Sequence, residues 1–147
     1  MIIVRKANIK DLDSLTLLFN SYRTFYGEKS NTEEVKNFVM KRLKEKDSQL
    51  YVCEDEKEVM GFMLLYLISS LTRLKELWIL KNLFLSEKAR GKGYAKVLIE
   101  EAKKLASQKG SCGLILETEK VNTTANNLYL KTGFKVLDQI NVYEWNP

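Results

Sequence analysis

Histidine is absent from all 147 residues, and that absence removes Ser-His-Asp and Cys-His nucleophilic machinery together with His-ligated metal sites. Any acid or base must then come from Tyr, Glu, Asp, Lys, Cys or water. Proline occurs once, at the last position, and glycine only seven times, so a chain this poor in breakers predicts long regular elements with short connections. The two cysteines, Cys53 and Cys112, are isolated in apolar surroundings. They make neither a zinc knuckle nor a C-x-x-C pair and read as buried free thiols in a reducing compartment. The longest apolar run, Val59 to Ile68, is interrupted by Gly61 and far too short to span a membrane; the opening MIIVRKANIK has no hydrophobic stretch after a basic region. These absences predict a cytoplasmic protein with no metal site and no membrane attachment.

What is present is a globular composition, 45% hydrophobic and 29% charged, which predicts one domain spanning residues 1–147 with a single large core. Lys and Arg number 24 against 19 acids, a net charge of +5. That surplus suits an anionic ligand. It is too mild to require nucleic acid, because the lysines are spread over helix faces and no aromatic-plus-basic stacking motif occurs. The run Lys41 to Lys46 reads as a solvated helix face.

Ile2 to Val4 opens as a strand, and Asn8 with Asp11 has the spacing of a capping box. Leu12, Leu15, Leu18, Phe19 and Tyr22 then fall at helical spacing as far as Gly27, and Ser30 with Glu33 predicts the cap of a second helix striped by Val35, Phe38, Val39 and Leu43. Gln49 to Cys53 and Glu58 to Ile68 read as a hairpin around Glu54–Lys57, interrupted at Ser69-Ser70. Trp78 to Leu85 is apolar on both alternating faces, as in a sheet covered on both sides. Tyr94, Leu98, Ala102, Leu105 and Ala106 stripe a helix closed by Gly110; Leu114 to Glu117 is a strand and Thr123 to Lys131 a short helix. Phe134 to Val136 and Val142 to Trp145 read as two closing strands. The predicted class is mixed α/β, in the order β-αα-βββ-α-β-α-ββ, with helices on both faces and a parallel crossover from the Trp78 strand to the Leu114 strand.

Chemistry concentrates in two places. The stretch from Leu83 to Ala95 runs from a buried strand through a basic, glycine-containing turn directly into a helix. Gly91 and Gly93 let the backbone approach an anion, the helix start offers free N–H groups, and Lys88, Arg90 and Lys92 add full charges, which together make a phosphate site. A P-loop is absent, and the dinucleotide fingerprint fails because Lys96 stands where its third glycine belongs. The second place is Asn122 to Phe134, where Asn122, Ala125 and Tyr129 lie at spacings of three and four on one helix side. Taken alone, Tyr129 reads as a core aromatic.

R-G-K-G-Y-A at 90–95 resembles the acyl-CoA pyrophosphate loop of the GCN5-related N-acetyltransferases, the GNAT superfamily, and N-x-x-A-x-x-L-Y-x-K-x-G-F at 122–134 resembles its closing motif. The element order is also similar to that superfamily's, over essentially the whole chain. Phe25-Tyr26, Gly61-Phe62, Ser69-Ser70, Trp78-Ile79-Leu80, Leu83-Phe84 and Tyr143-Glu144-Trp145 are most similar to the branch of yeast histone, polyamine and D-amino-acid acetyltransferases.

The resemblance implies direct transfer of an acetyl group from acetyl-CoA to a primary amine of a small molecule or peptide, with no covalent enzyme intermediate. The alternative is a catalytically silent acyl-CoA-binding regulatory domain, against which the retained Tyr129 argues. The resemblance implies that backbone groups of Leu83, Phe84 and Leu85 hold the pantetheine arm as an added strand. By the same resemblance, N–H groups of Arg90, Gly91, Lys92, Gly93, Tyr94 and Ala95 cradle the pyrophosphate, Asn122 and Lys131 bind the cofactor, and Tyr129 stands by the sulfur as general acid. Tyr26 and Glu28, after the first helix, are the substrate-binding expectation, across from Ser69-Ser70; Tyr22 and Phe25 read as core cover. A homodimer agrees with the resemblance, although no pattern in the chain itself indicates one.

One position departs from the family. Where relatives often carry an acid, this strand reads Lys81-Asn82. An alkylamine with pKa about 10.4 is only about one part in 2,500 neutral at pH 7, a deficit of roughly 4.6 kcal/mol, so the source of a base matters. Glu76, Glu28, Glu117 or a water chain are the options, and an acceptor of lower pKa would relax the need.

Overall fold

Alternating apolar residues in the middle of the chain build the sheet on which the helices pack. The computed structural model describes residues Met1–Pro147 and has five strands: β1 Ile3–Lys6, β2 Ser48–Asp55, β3 Glu58–Ser70, β4 Lys75–Leu85 and β5 Leu114–Leu116. They are ordered β1-β2-β3-β4-β5, antiparallel throughout except for the parallel β4–β5 pair. The helices are α1 Leu12–Phe25, α2 Thr32–Lys44, α3 Tyr94–Gln108 and α4 Thr123–Lys131, and α3 is the crossover joining β4 to β5. The chain divides into two compact units, Met1–Glu117 and Thr118–Pro147. No helix is long and apolar enough to cross a membrane.

Both faces of the sheet are buried. Leu50, Val52, Phe62 and Leu64 cluster with Leu15, Leu18 and Phe19 of α1 and with Val35 and Val39 of α2. Their neighbours Cys53, Met63, Leu65, Trp78 and Leu80 cluster with Tyr94, Leu98, Ala102 and Leu105 of α3. Each large side chain removed from water in this way contributes about 1.5–3 kcal/mol. Burial pushes the Cys53 thiol up to about 12, so it is an inert core residue, whereas Cys112 is only half-buried and corrects the expectation of two buried thiols.

Two bulges adjust β3 and β4. In the β3–β4 ladder Leu64 faces Asn82 and Leu65 faces Leu80, leaving Lys81 as an extra residue on β4. The extra residue switches the alternation, so Trp78, Leu80, Leu83 and Leu85 all pack with the α3-side cluster although their numbers change parity. In the β2–β3 ladder Cys53 faces Gly61 and Glu54 faces Val59, so Met60 is extra; its carbonyl accepts the Ser86 N–H at 2.8 Å and anchors the exit of β4.

The first cap is as the spacing predicts: Asn8 accepts the Lys10 N–H, and the Asp11 carboxylate accepts the Asn8 N–H at 2.8 Å. Arg5 donates to both Asp11 oxygens and to Glu54, each at 2.9 Å, and ties this cap to β2. The second cap differs. Asn31, not Ser30, caps α2 by accepting the Glu34 N–H, because the Asn31 N–H is itself held by Asn20 of α1 at 3.0 Å, which fixes the point of entry. Ser69 and Ser70 do not interrupt β3; they pair with Glu76 and Lys75, and the chain turns after them. The β2–β3 turn is tighter than Glu54–Lys57, with Glu56 and Lys57 both at positive φ.

The two closing strands do not form. Residues 134–147 carry no strand, and Val142, Tyr143 and Trp145 are 80%, 87% and 83% exposed. An isolated pair of strands without a buried face is marginal in water, so β propensity alone does not order this segment.

Two stability outcomes follow from this packing. A Cβ on Gly61 would lie 2.6 Å from both the Leu85 side chain and the Phe84 carbonyl, so Gly61→Ala should lower stability by about 1–3 kcal/mol, read as a depressed melting temperature. Melting unchanged from wild type would show that β3 and β4 can part at no cost. The Arg5 guanidinium holds the Asp11 carboxyl below the usual carboxylate range. That stabilisation is full above the ordinary value of about 4 and drains away as pH falls toward the lowered folded-state value. Asp11→Asn should remove about 2 kcal/mol at pH 7 and flatten the acid limb of the stability curve; a variant with the wild-type acid limb would assign that limb to other carboxylates.

Candidate functional site

β4 and β5 part company half-way along β4. Pairing is confined to Trp78–Leu114, Ile79–Ile115 and Leu80–Leu116. Beyond the Lys81 bulge, Asn82, Leu83, Phe84 and Leu85 are paired only on the β3 side, which leaves a free strand edge able to bind an extended ligand by main-chain hydrogen bonds. β4 then passes through the turn Glu87–Ala89 into α3. Gly91 and Gly93 take φ values of +73° and +87°, and Gly93 is the N-cap of α3. No side chain caps this helix, so the N–H groups of its first turn, Tyr94 and Ala95 among them, have no partner within the helix. A Cβ on either glycine meets no protein atom within 4 Å. The loop is therefore open to an incoming anion, with the charges of Arg90 and Lys92 exposed beside it. The Tyr94 side chain points the other way, buried in the α3-side core, where its hydroxyl donates to Asp55 at 2.9 Å.

An open cleft of about 910 Å³ lies between the C-terminal half of α1 and this loop, lined by Ser21, Thr24, Phe25, Phe84, Lys88 and Arg90 among others. The Arg90 guanidinium sits 5.3 Å from the Phe84 ring centre and 5.6 Å from that of Phe25, and its Nε donates to the Leu85 carbonyl. Lys88 pairs with Glu58. The cleft presents cations to a ligand, and the aromatic faces at its wall are already covered by one.

Behind that wall an aromatic cluster joins α1 to the sheet. Tyr22 lies 4.8 Å from Tyr26, 5.6 Å from Phe84 and 6.3 Å from Phe62, centre to centre. Its hydroxyl accepts a 2.9 Å hydrogen bond from the Asn82 side chain. Tyr22 covers the core as its spacing predicts, and its contact with Asn82 has no signal in the sequence beyond the unexpected Lys81-Asn82. Lys81 reaches Glu117 at the end of β5, 3.8 Å away, and Glu76 accepts hydrogen bonds from Ser69. Tyr26 packs on Tyr22 and Phe25 at the end of α1, and Glu28 is exposed in the following turn, its N–H bonded to the Arg23 carbonyl.

In the Thr118–Pro147 unit, Asn122 is the N-cap of α4 and its side-chain oxygen accepts the Ala125 N–H at 3.2 Å. The oxygen is thereby committed, and its amide group is what remains for a ligand. Tyr129 is half-buried with its ring edge-on to Phe134, 6.0 Å between centres. Lys131 is exposed in the last turn, where a cation complements the helix dipole.

Known proteins resemble this chain along most of its length. The sequence profile of the Acetyltransferase (GNAT) family matches residues 15–134. An uncharacterized N-acetyltransferase, YhfO, of Bacillus subtilis is 35% identical over 132 residues, covering 90% of this chain and 89% of that protein. A probable acetyltransferase of Haemophilus influenzae is 28% identical over 143 residues, covering 95% and 94%. The crystal structure of a probable acetyltransferase superposes with a TM-score of 0.90 at 32% identity, covering 100% of this chain and 97% of that one.

Proposed function

The chain belongs to the acetyltransferase (GNAT) family and is an acetyltransferase, and we propose that it moves an acetyl group from acetyl-CoA directly to a primary amine of a small molecule or peptide in the cytoplasm. The observation that carries the donor is the uncapped start of α3, turned by Gly91 and Gly93 at positive φ and flanked by Arg90 and Lys92 at the end of a strand with a free edge. A pyrophosphate needs close backbone approach, convergent N–H groups and positive charge, and the loop offers all three. In this reading the backbone of Gly91, Lys92, Gly93, Tyr94 and Ala95 binds the pyrophosphate; the Arg90 N–H, expected in the same cradle, is instead held by the Glu87 carbonyl at 3.2 Å, and Arg90 contributes its charge. Leu83, Phe84 and Leu85 hold the pantetheine arm along the free edge of β4.

When bound, acetyl-CoA supplies an acetyl group activated as a thioester. The roles of the closing motif rest on its resemblance to the family's: the amide of Asn122 and the ammonium of Lys131 bind the cofactor, and the Tyr129 hydroxyl gives a proton to the departing sulfur. Tyr26 and Glu28 hold the acceptor from the end of α1 and the exposed turn after it. The motif detail also resembles the branch of yeast histone, polyamine and D-amino-acid acetyltransferases, which leaves both small and peptide amines as acceptors.

Gly93→Asp should abolish CoA binding in calorimetry by setting a negative charge where the pyrophosphate enters; the melting curve reports whether the variant is folded, and unchanged affinity in a folded variant would refute the cradle. Tyr129→Phe should leave CoA affinity within a few fold and lower turnover roughly 10- to 100-fold, measured as acetyl-CoA-dependent thiol release. Wild-type turnover in that variant would take the acid role away from Tyr129. A screen of diamines, amino acids, peptides and aminoglycosides identifies the acceptor, and CoA binding without transfer to any of them would favour a silent regulatory domain.

A further inference from the structure

We propose that Asn82, oriented by Tyr22, receives the acceptor nitrogen, and that the protein therefore selects amines with a larger neutral fraction at physiological pH, such as α-amino groups, over alkylammonium groups. This deepens the acetyl-transfer reading and rests on it. Asn82 is the first residue of β4 beyond the bulge, where the free edge begins. One N–H of its side-chain amide goes to the Tyr22 hydroxyl at 2.9 Å, which fixes the amide and leaves its oxygen able to accept a hydrogen bond. An amide oxygen can hold an amine N–H but cannot take up its proton.

The other elements of the Met1–Glu117 unit place no free carboxylate against it. From α1 come the phenols of Tyr22 and Tyr26, and β3 presents Leu64 opposite Asn82. From β4 comes the ammonium of Lys81, and the Glu117 carboxylate at the end of β5 is paired with it at 3.8 Å. Glu76 is engaged by Ser69, and Glu28 lies in the exposed turn after α1. The Arg90 guanidinium covers the Phe25 and Phe84 rings that would otherwise attract a cation. A positively charged acceptor thus meets Lys81 and Arg90 rather than a receiving carboxylate.

The proton balance shows why neutrality decides. A neutral amine forms the C–N bond to the acyl carbon as the C–S bond breaks; one proton leaves nitrogen and one is taken up by sulfur, so no further base is needed. An ammonium must first lose an additional proton. At pH 7 an α-amine with pKa about 8 is roughly one-tenth neutral and an alkylamine with pKa about 10.4 about one part in 2,500, a difference of about 200-fold.

The test measures kcat/KM with acetyl-CoA for alaninamide and butylamine between pH 7 and pH 9, in wild type, Asn82→Asp and Tyr22→Phe, with melting curves on each. Wild type should favour alaninamide about 100-fold or more at pH 7, with the butylamine rate rising close to tenfold per pH unit. Asn82→Asp installs a carboxylate of the same shape and should raise butylamine kcat/KM at pH 7 at least about tenfold and flatten its pH slope, with the acetyl-CoA KM unchanged. Tyr22→Phe frees the amide to rotate and should raise the acceptor KM several-fold with a smaller effect on kcat. A purely structural Asn82 would yield no gain in the aspartate variant. Equal wild-type rates for the two amines at pH 7, or an aspartate variant with the wild-type slope, would overturn the inference while leaving acetyl transfer intact. Acetyl-CoA binding with no amine acetylated at either pH would instead remove the acetyl-transfer reading and this inference together.

Discussion

β4 has to be buried on both faces, paired on one edge and open on the other, and the bulge at Lys81 is what reconciles these demands. Without the extra residue, a strict two-residue alternation would turn Leu83 and Leu85 away from the α3-side core that holds Trp78 and Leu80. With it, the same core continues past the last β5 pair, and β4 leaves β5 without exposing its apolar face. The free edge at Leu83–Leu85, the turn into α3 and the position of Asn82 all derive from that one irregularity. The second bulge, at Met60, complements it by catching the Ser86 N–H and fixing where the strand ends.

The electrostatics follow from the same geometry. A strand ending at an uncapped helix start gathers unsatisfied N–H groups, and two positive-φ glycines keep their surroundings clear of side chains. Cations then collect on one side; of the nearby carboxylates Glu58 is paired with Lys88, and Asp55 with Tyr94 and the N-terminal ammonium, while Glu87 stays exposed at the cleft. Hydrogen bonds from the N-terminus and from Tyr94 hold the Asp55 carboxyl below its usual range, so that contact persists as an acceptor in the core wall. The outcome is a cleft suited to a polyanion. In the proposed mechanism the donor is held by charge and the acceptor is sorted by its own basicity.

Much of this was legible because periodicity is a local property. The α3 stripe of Tyr94, Leu98, Ala102 and Leu105, the doubly apolar run of β4, and the Asn8–Asp11 cap each reflect spacing over a few residues, and the structure contains all of them. Errors arose where a local signal competed with a distant contact. Asn31 displaced Ser30 as a cap because Asn20, eleven residues earlier, holds its N–H. Ser69 and Ser70, polar enough to look like an ending, stay in β3 because Lys75 and Glu76 pair with them. The segment from Val142 to Trp145 has strand composition, yet it forms no strand and Val142, Tyr143 and Trp145 remain exposed.

By itself, then, the sequence determined the element order up to α4, the two-sided burial of the sheet, and the glycine-turned basic loop, since each is encoded in neighbouring residues whose spacing sets which face they share. Only the tertiary structure decided the register. A bulge is visible only against its partner strand, so the extra residue at Lys81 and the opening of β4 from β5 had no signature in β4 alone. Tyr22 and Asn82 are 60 residues apart, and nothing local distinguishes a phenol that covers a core from one that aims an amide. Their meeting depends on how α1 lies across the sheet, which is set by the sum of many buried contacts rather than by any residue that can be read singly.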